Sequence, residues 1–153
     1  MTGARPTIWI DGDAAPRACK DVIFKASQRT GLKVILVANK WQQVPKLRTI
    51  QFQLVGGGFD VADDYIADEY QPGDLVITAD IPLAARVIEK GGTALRFRGE
   101  ELTLENIRQR KATRDILDEL RAGGLQTGGP PPFGPKEKAR FAGSLDRWLA
   151  KQR

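Results

Sequence analysis

An open, mostly parallel α/β sheet of about five strands, with helices on both faces and a helical extension at the C-terminal end, is the fold class this sequence predicts. Three observations carry it. Short apolar runs rich in β-branched residues, at 8–10, 33–38 and 74–78, read as buried strands. Between them lie segments with apolar residues at helical spacing, bounded by Gly or Pro. Strand and helix therefore alternate along the chain, and that alternation favours parallel pairing through crossover helices.

Taken in order, the run Ile8-Trp9-Ile10 ends abruptly at Asp11-Gly12-Asp13, so the first strand delivers two carboxylates at its carboxyl end. Open α/β sheets bind ligands at that edge. Pro16 suits the first turn of a helix over 16–30, capped by Asp13 or Ala14, with Val22, Ile23 and Ala26 facing inward and Gly31 as its stop. Residues 33–38 form the second strand, ending at Asn39. Residues 40–49, polar and containing Pro45, form a loop or a short irregular helix. Residues 51–55 alternate as a strand and break at Gly56-Gly57-Gly58. A helix with an acidic beginning follows over 59–68, then the strand 74–78, Asp80, and a helix opened by Pro82 with Leu83, Ala84, Val87 and Ile88 inward. Residues 94–98 read as a last, more exposed strand. Thr103 caps a further helix whose inner positions are Leu104, Ile107, Ile116, Leu117 and Leu120.

The expected organisation is an α/β domain over 1–122, a Gly/Pro-rich connector over 123–135, and a C-terminal helix over 136–153. Phe141, Leu145, Trp148 and Leu149 of that helix fall at i, i+4, i+7 and i+8, one face suited to docking on the domain.

Composition removes several chemistries. The chain has no histidine, which excludes Ser-His-Asp, Cys-His and His-ligated metal sites. One cysteine, Cys19, excludes an internal disulfide and a Cys-based zinc site. No apolar run is long enough to span a bilayer and residues 1–6 carry no apolar leader, so a cytoplasmic protein with no membrane partner is expected. Charge is uneven. Residues 1–85 hold 9 Lys and Arg against 10 Asp and Glu, net −1, whereas residues 86–153 hold 15 against 9, net +6. A basic second half suits an anionic partner such as RNA or single-stranded nucleic acid. Further copies of the chain, as a homo-oligomer, are the other partner left open.

Acidic residues recur at equivalent points in the pattern: Asp11 and Asp13 after the first strand, Asp60, Asp63 and Asp64 at the start of the helix after the third, and Asp80 after the fourth. If the first and fourth strands flank the switch point of the sheet, these acids converge. Asp60, Asp63 and Asp64 are spaced i, i+3 and i+4 and share a helical face. Crowded carboxylates repel unless a cation neutralises them, and an oxygen-only donor set suits Mg²⁺ or Mn²⁺. Each acid also has a plainer role as a helix cap or first-turn residue. Around the same rim, Asn39, Thr78, Lys40, Arg86 and Arg98 are the candidates for holding an anionic substrate.

The motifs Asp11-Gly12-Asp13-Ala14-Ala15-Pro16, Val37-Ala38-Asn39, Gly58-Phe59-Asp60-Val61-Ala62-Asp63-Asp64, residues 74–84 and Thr127-Gly128-Gly129-Pro130 together resemble the YaiI/YqxD family of bacterial proteins. That family is in turn similar to PIN-like domains, metal-dependent nucleases with a parallel sheet and clustered acids. The resemblance implies a PIN-like fold and a nuclease site in which Asp11, Asp80 and an acid among Asp60, Asp63 and Asp64 are ligands, with Asp11, Asp80 and Asp64 as the catalytic set. Family members commonly carry Cys-Pro where this chain has Ala15-Pro16, so a thiol mechanism at that position is excluded here. The expected function is divalent-metal-dependent phosphodiester hydrolysis of RNA or single-stranded nucleic acid. The alternatives are a non-catalytic nucleic-acid-binding or adaptor protein, and a small haloacid-dehalogenase-like phosphatase with Asp11 as nucleophile.

Overall fold

The structure is a computed structural model and describes residues 5–58, 60–124 and 132–152. Its elements are β1 (Thr7–Asp11), α1 (Arg17–Thr30), β2 (Lys33–Ala38), β3 (Ile50–Leu54), α2 (Val61–Glu69), β4 (Leu75–Ile77), α3 (Ile81–Glu89), β5 (Thr93–Leu95), β6 (Glu101–Leu102), α4 (Leu104–Ala122) and α5 (Pro135–Ala150). The strands form one six-stranded sheet in the order β3-β2-β1-β4-β5-β6. The first five are parallel, and β6 runs antiparallel to β5. The chain leaves β1 in one direction to β2 and returns on its other side at β4, so the switch point lies between β1 and β4.

Alternation along the central strands divides the core. Ile8 and Ile10 of β1, Val34 and Leu36 of β2, and Leu75 and Ile77 of β4 face one side. Cys19, Ile23 and Ala26 of α1 and Phe141, Leu145, Trp148 and Leu149 of α5 cover them there. Trp9, Ile35, Val37 and Val76 face the other side, beneath Ile66 of α2 and Leu83 and Val87 of α3. Strands buried on both faces read as continuous apolar runs, which is why they were legible. The apolar face of α5 is buried as the spacing indicated. Burial of each large apolar side chain there contributes about 1.5–3 kcal/mol.

At the amino edge, Asp74 is buried and accepts three hydrogen bonds: from the backbone N–H of Thr7 (2.9 Å), the indole Nε1 of Trp9 (3.0 Å) and the backbone N–H of Gln71 (3.1 Å). This carboxylate joins β1 to β4 at the end remote from Asp11.

Three sequence expectations change. The last strand is not an exposed run over 94–98: β5 ends at Leu95, is buried at Ala94 and Leu95, and is covered at its edge by the two-residue β6. A hairpin closed by Arg96 N–H donating to the Glu100 carbonyl (2.8 Å) makes that edge. A strand of two residues leaves no periodicity to detect. The first helix starts at Arg17, with Pro16 rather than Asp13 or Ala14 at its N-cap. The largest change is α4. Of its five expected inner residues only Ile107 is buried, packed with Ile81, Ala84 and Ile88 of α3. Leu104 is 69% exposed, Ile116 58% and Leu120 41%. The helix docks by its first turns, and its remaining length projects beyond the sheet with Arg114 and Arg121 paired to Asp118 along its own surface. Residues 125–131, the greater part of the expected connector, lie outside the described residues, as does Phe59 at the expected start of α2.

Packing and exposure along α4 separate two isoleucines. Ile107→Ala should lower unfolding free energy by about 2–4 kcal/mol, because the vacated volume is enclosed. Ile116→Ala should change it by no more than about 0.5 kcal/mol. Urea denaturation of both variants checks this, and equal losses would show that the far half of α4 is packed in solution.

Candidate functional site

Parallel pairing of β1 and β4 aligns Ile10 with Ile77, so Asp11 and Thr78 leave the sheet side by side. By strand alternation both point to the side of Trp9 and Val76, towards α2 and α3. The Thr78 hydroxyl donates to Asp11 Oδ2 at 2.8 Å and accepts from the backbone N–H of Asp80 at 2.9 Å. Both side chains are buried, Asp11 at 8% exposure and Thr78 at 1%. Thr78 thus couples the end of β1 to the turn that enters α3. Asp80 caps that helix, its Oδ1 accepting from the Leu83 N–H at 2.9 Å.

The turn after β1 is closely fitted. Gly12 donates its N–H to the Val37 carbonyl at 2.8 Å, and a Cβ there would lie 2.4 Å from Leu36 Cδ2. Only glycine lets the turn lie this near β2. Gln42 donates to the Gly12 carbonyl at 3.0 Å and accepts from Lys20 Nζ at 3.0 Å. Gln42 had no sequence signal, being one polar residue in a polar loop.

Opposite, α2 brings its acids in unequal fashion. Asp60 occupies the N-cap position with φ 62°, the one non-glycine residue with positive φ among the described residues, and its side chain makes no capping bond. A left-handed aspartate costs free energy that the surrounding fold must offset. Asp60, Asp63 and Asp80 each present a carboxylate oxygen, and the three oxygens lie within 4.8 Å of one another. Asp11 stands outside this triplet, deeper in the fold, near enough for its charge to act on Asp63.

The electrostatics follow from that crowding. Asp63 is pushed up to about 7 from an ordinary 3.8. Burial is the largest cause, followed by repulsion from Asp80 and Asp11, a hydrogen bond with Asp80 and repulsion from Asp60. Asp11 is also raised, first by burial and then by the charges of Asp80 and Asp13, with the Thr78 hydrogen bond opposing them. This edge therefore holds more negative charge than its own donors neutralise.

The remaining expected residues fall into two groups. Asp64 does not join the triplet. It is directed to Arg86, whose Nη1 lies 2.8 Å from Asp64 Oδ1 with both side chains exposed. The i, i+4 spacing places Asp60 and Asp64 on one helical face only if Asp60 is itself helical, and its left-handed backbone breaks that relation. Asp13 is exposed, and its carboxylate accepts the backbone N–H of Asn39 at 2.9 Å (Oδ2) and 3.2 Å (Oδ1), linking the turns after β1 and β2. Asn39 and Lys40 are exposed beside that link. Arg98 stands beyond β5, its guanidinium carbon 5.8 Å from the centroid of the Phe133 ring. Asp11, Thr78, Asp80, Asp63 and Asp60 are thus drawn together, while Asp64 with Arg86, Asp13 with Asn39, and Arg98 with Phe133 form separate contacts around them.

Residues 9–151 match the family described as "Uncharacterized BCR, YaiI/YqxD family". The chain belongs to that family. It is 51% identical over 146 residues to a UPF0178 protein of Desulfotalea psychrophila, covering 95% of this chain and 99% of the relative. A UPF0178 protein of Pectobacterium carotovorum is 53% identical over 142 residues, 93% of this chain and 95% of its own. One from Shewanella baltica is 50% identical over 144 residues, 94% and 96% respectively. No solved structure matches the chain. Among the described residues, no helix is long and apolar enough to cross a membrane.

Asp63 fixes a pH dependence. Its folded value lies above its ordinary one, so between about 4 and 7 the folded protein retains a proton that the unfolded chain has released. Stability of the metal-free protein therefore falls as pH rises through that window. Asp63→Asn should melt a few degrees above the wild type at pH 8 in EDTA and level with it below pH 4. A variant no more stable at pH 8 would mean that Asp63 bears no such repulsion.

Proposed function

We propose that the protein is a divalent-cation-dependent phosphodiesterase acting on RNA or single-stranded nucleic acid. The convergence of Asp60, Asp63 and Asp80 beside the buried Asp11, at the switch point of the sheet, carries this reading. The donor set fits a hard cation: three carboxylate oxygens within reach of one another, no nitrogen or sulfur ligand, and excess negative charge expressed in the raised Asp63. The similarity of the YaiI/YqxD family to PIN-like nuclease domains, implied by the resemblance of the motifs to that family, belongs to the same proposal.

In this reading Asp60, Asp63 and Asp80 hold Mg²⁺ or Mn²⁺. When bound, the ion polarises a phosphate oxygen and lowers the pKa of water beside it. The chain's own residues do the rest. Asp80 is fixed by its cap bond to Leu83, which leaves its other oxygen for the cleft. Thr78 orients Asp11 by one hydrogen bond, and Asp11 keeps a second carboxylate oxygen to accept the proton of the attacking water as its oxygen bonds to phosphorus and the bond from phosphorus to the leaving sugar oxygen breaks, that oxygen taking a proton from solvent. The basic second half of the chain supplies salt-sensitive attraction for the nucleic-acid backbone. The phosphatase alternative has less support because the Thr or Val its motif carries two residues after the second aspartate is Ala15 here.

Labelled single-stranded RNA incubated with the wild type should be cut with Mn²⁺ and left intact with EDTA. Asp80→Asn and Asp11→Asn should each reduce cleavage by about 10²–10⁴-fold, and Thr78→Val by about 10–100-fold through the loss of Asp11's orientation. Cutting that survives EDTA or the Asp80 change sinks the proposal. Binding without cutting leaves the non-catalytic reading.

Cation binding itself should depend on pH. Mn²⁺ should raise the melting temperature at pH 8 and do so less at pH 5, where the proton on Asp63 competes with it. A shift equal at both pH values, or retained in Asp63→Asn, places the ion elsewhere.

A further inference from the structure

The three tryptophans of the chain divide sharply by exposure. Trp9 and Trp148 lie in the two core layers at 5% and 4% exposure, whereas Trp41 is 72% exposed. No other large apolar residue among those described is as open to solvent. Among the described residues Trp41 takes part in no hydrogen bond and no ring contact. Burial therefore does not account for an indole at this position.

The neighbours of Trp41 fix where it stands. It belongs to the loop 39–49, which leaves the carboxyl end of β2 and returns to the amino end of β3, the two strands being parallel. Asn39, two residues before it, donates its N–H to Asp13 at 2.9 Å. Gln42, directly after it, donates to the Gly12 carbonyl at 3.0 Å and accepts from Lys20 Nζ at 3.0 Å. Farther on, Val44 and Leu47 pack against the core. The fastenings to Asp13 and Gly12 both end on the turn that follows Asp11. A ring held out on an anchored loop loses little conformational freedom when a ligand covers it.

The same loop is cationic. Lys40, Lys46 and Arg48 are exposed, and residues 22–59 hold six Lys and Arg with no Asp or Glu. None of these three cations makes an ion pair among the described residues. Two acids meet the loop from other elements. Asp13 accepts the Asn39 N–H, and Asp21 lines a groove with Arg17, Lys20 and residues 42–45. Lys40, Lys46, Arg48, Arg17 and Lys20 outnumber Asp13 and Asp21, so the region is positive. The net charge of residues 1–85 conceals this, because their acids fall at 11–21 and 60–80. An open indole among unpaired cations suits the face of an unstacked base and the phosphates beside it. In a duplex the bases stay stacked on one another, so the fit is to a single strand.

We propose that loop 39–49 is a platform for single-stranded nucleic acid, one base stacking on Trp41 and the backbone held by Lys40, Lys46 and Arg48. The inference rests on the phosphodiesterase reading for its substrate class and names where that substrate is gripped beside the cleft.

Binding is measured apart from cleavage, in EDTA. A labelled single-stranded oligouridylate is titrated into the full chain, and both its anisotropy and the tryptophan emission are followed. Trp41 is the indole open to a base, so emission should be quenched on binding. Trp41→Leu should abolish the quench and weaken binding about tenfold or more. Trp41→Phe keeps a ring and should retain most of the affinity without the quench. Since the side chain is exposed, neither change should alter the melting temperature appreciably. Lys40→Gln, Lys46→Gln and Arg48→Gln together should reduce the slope of log affinity against log salt by about 2. A duplex of the same length should leave the emission unquenched. Absence of binding, which a protein partner for Trp41 would also give, overturns the proposal. So does an unquenched wild type, wild-type affinity in Trp41→Leu, an unchanged salt slope, or equal quenching by the duplex. The two readings fail differently. Cleavage in Mn²⁺ with wild-type KM in Trp41→Leu removes the platform and leaves the phosphodiesterase. Quenching by the oligonucleotide with no cleavage in Mn²⁺ leaves the platform and removes the phosphodiesterase.

Discussion

The bond from the Thr78 hydroxyl to Asp11 is the contact on which the carboxyl edge of this sheet depends. It joins β1 to β4 at the switch point, and through the Asp80 N–H it also sets the entry to α3. Parallel strands do not choose their register by a tight turn, since each connection must cross over, here through helices between β1 and β2, β3 and β4, and β4 and β5 and through the loop 39–49 between β2 and β3. Register here is held by side chains at both ends of the pair. Asp74 joins β4 to the start of β1 at one end, and Thr78 joins the two strands at the other. A slip of one residue would break both fastenings and turn Trp9 and Val76 to the wrong face.

Much of this was legible because physics writes it locally. A strand covered on both faces must be apolar throughout, and 8–10, 34–38 and 75–77 are so. The C-terminal helix carries its buried face at i, i+4, i+7 and i+8, and Phe141, Leu145, Trp148 and Leu149 are buried accordingly. The periodicity of α4 is of the same kind, yet Leu104, Ile116 and Leu120 are exposed. Periodicity says which side of a helix is apolar, and it does not say how far along its length a neighbour extends. β6 was illegible for another reason: two residues paired through a hairpin carry no pattern of their own.

The candidate site was legible as a set of acids and less so as a geometry. Convergence of Asp11 and Asp80 follows from the adjacency of β1 and β4, which alternation allowed as a condition and the strand order supplies. The choice among Asp60, Asp63 and Asp64 turns on a backbone angle at Asp60 and on the presence of Arg86 across from Asp64. Neither can be read from spacing, because both depend on α2 and α3 lying side by side. Asp13 is the same kind of case. Its position suggested a cap for α1, whereas Pro16 holds the N-cap position and the Asp13 carboxylate takes the Asn39 N–H instead.

Asp74 and Asp63 show what distinguishes an aspartate that holds a fold from one that strains it. Both sit beside the central strands of one sheet. Asp74 is enclosed by three N–H donors from β1, Trp9 and the preceding turn, so its charge is met where it lies. Asp63 is enclosed by Asp80, Asp11 and Asp60, and its proton is retained to about 7. A buried carboxylate among donors lowers the free energy of the fold, and one among carboxylates raises it. Replacing Asp63 by a neutral residue would relieve that repulsion and give up the favourable interaction of a first-turn carboxylate with the amino end of α2. In the phosphodiesterase reading a bound cation would neutralise the same repulsion. The left-handed Asp60, strained and without a capping bond, stands beside it on the same terms.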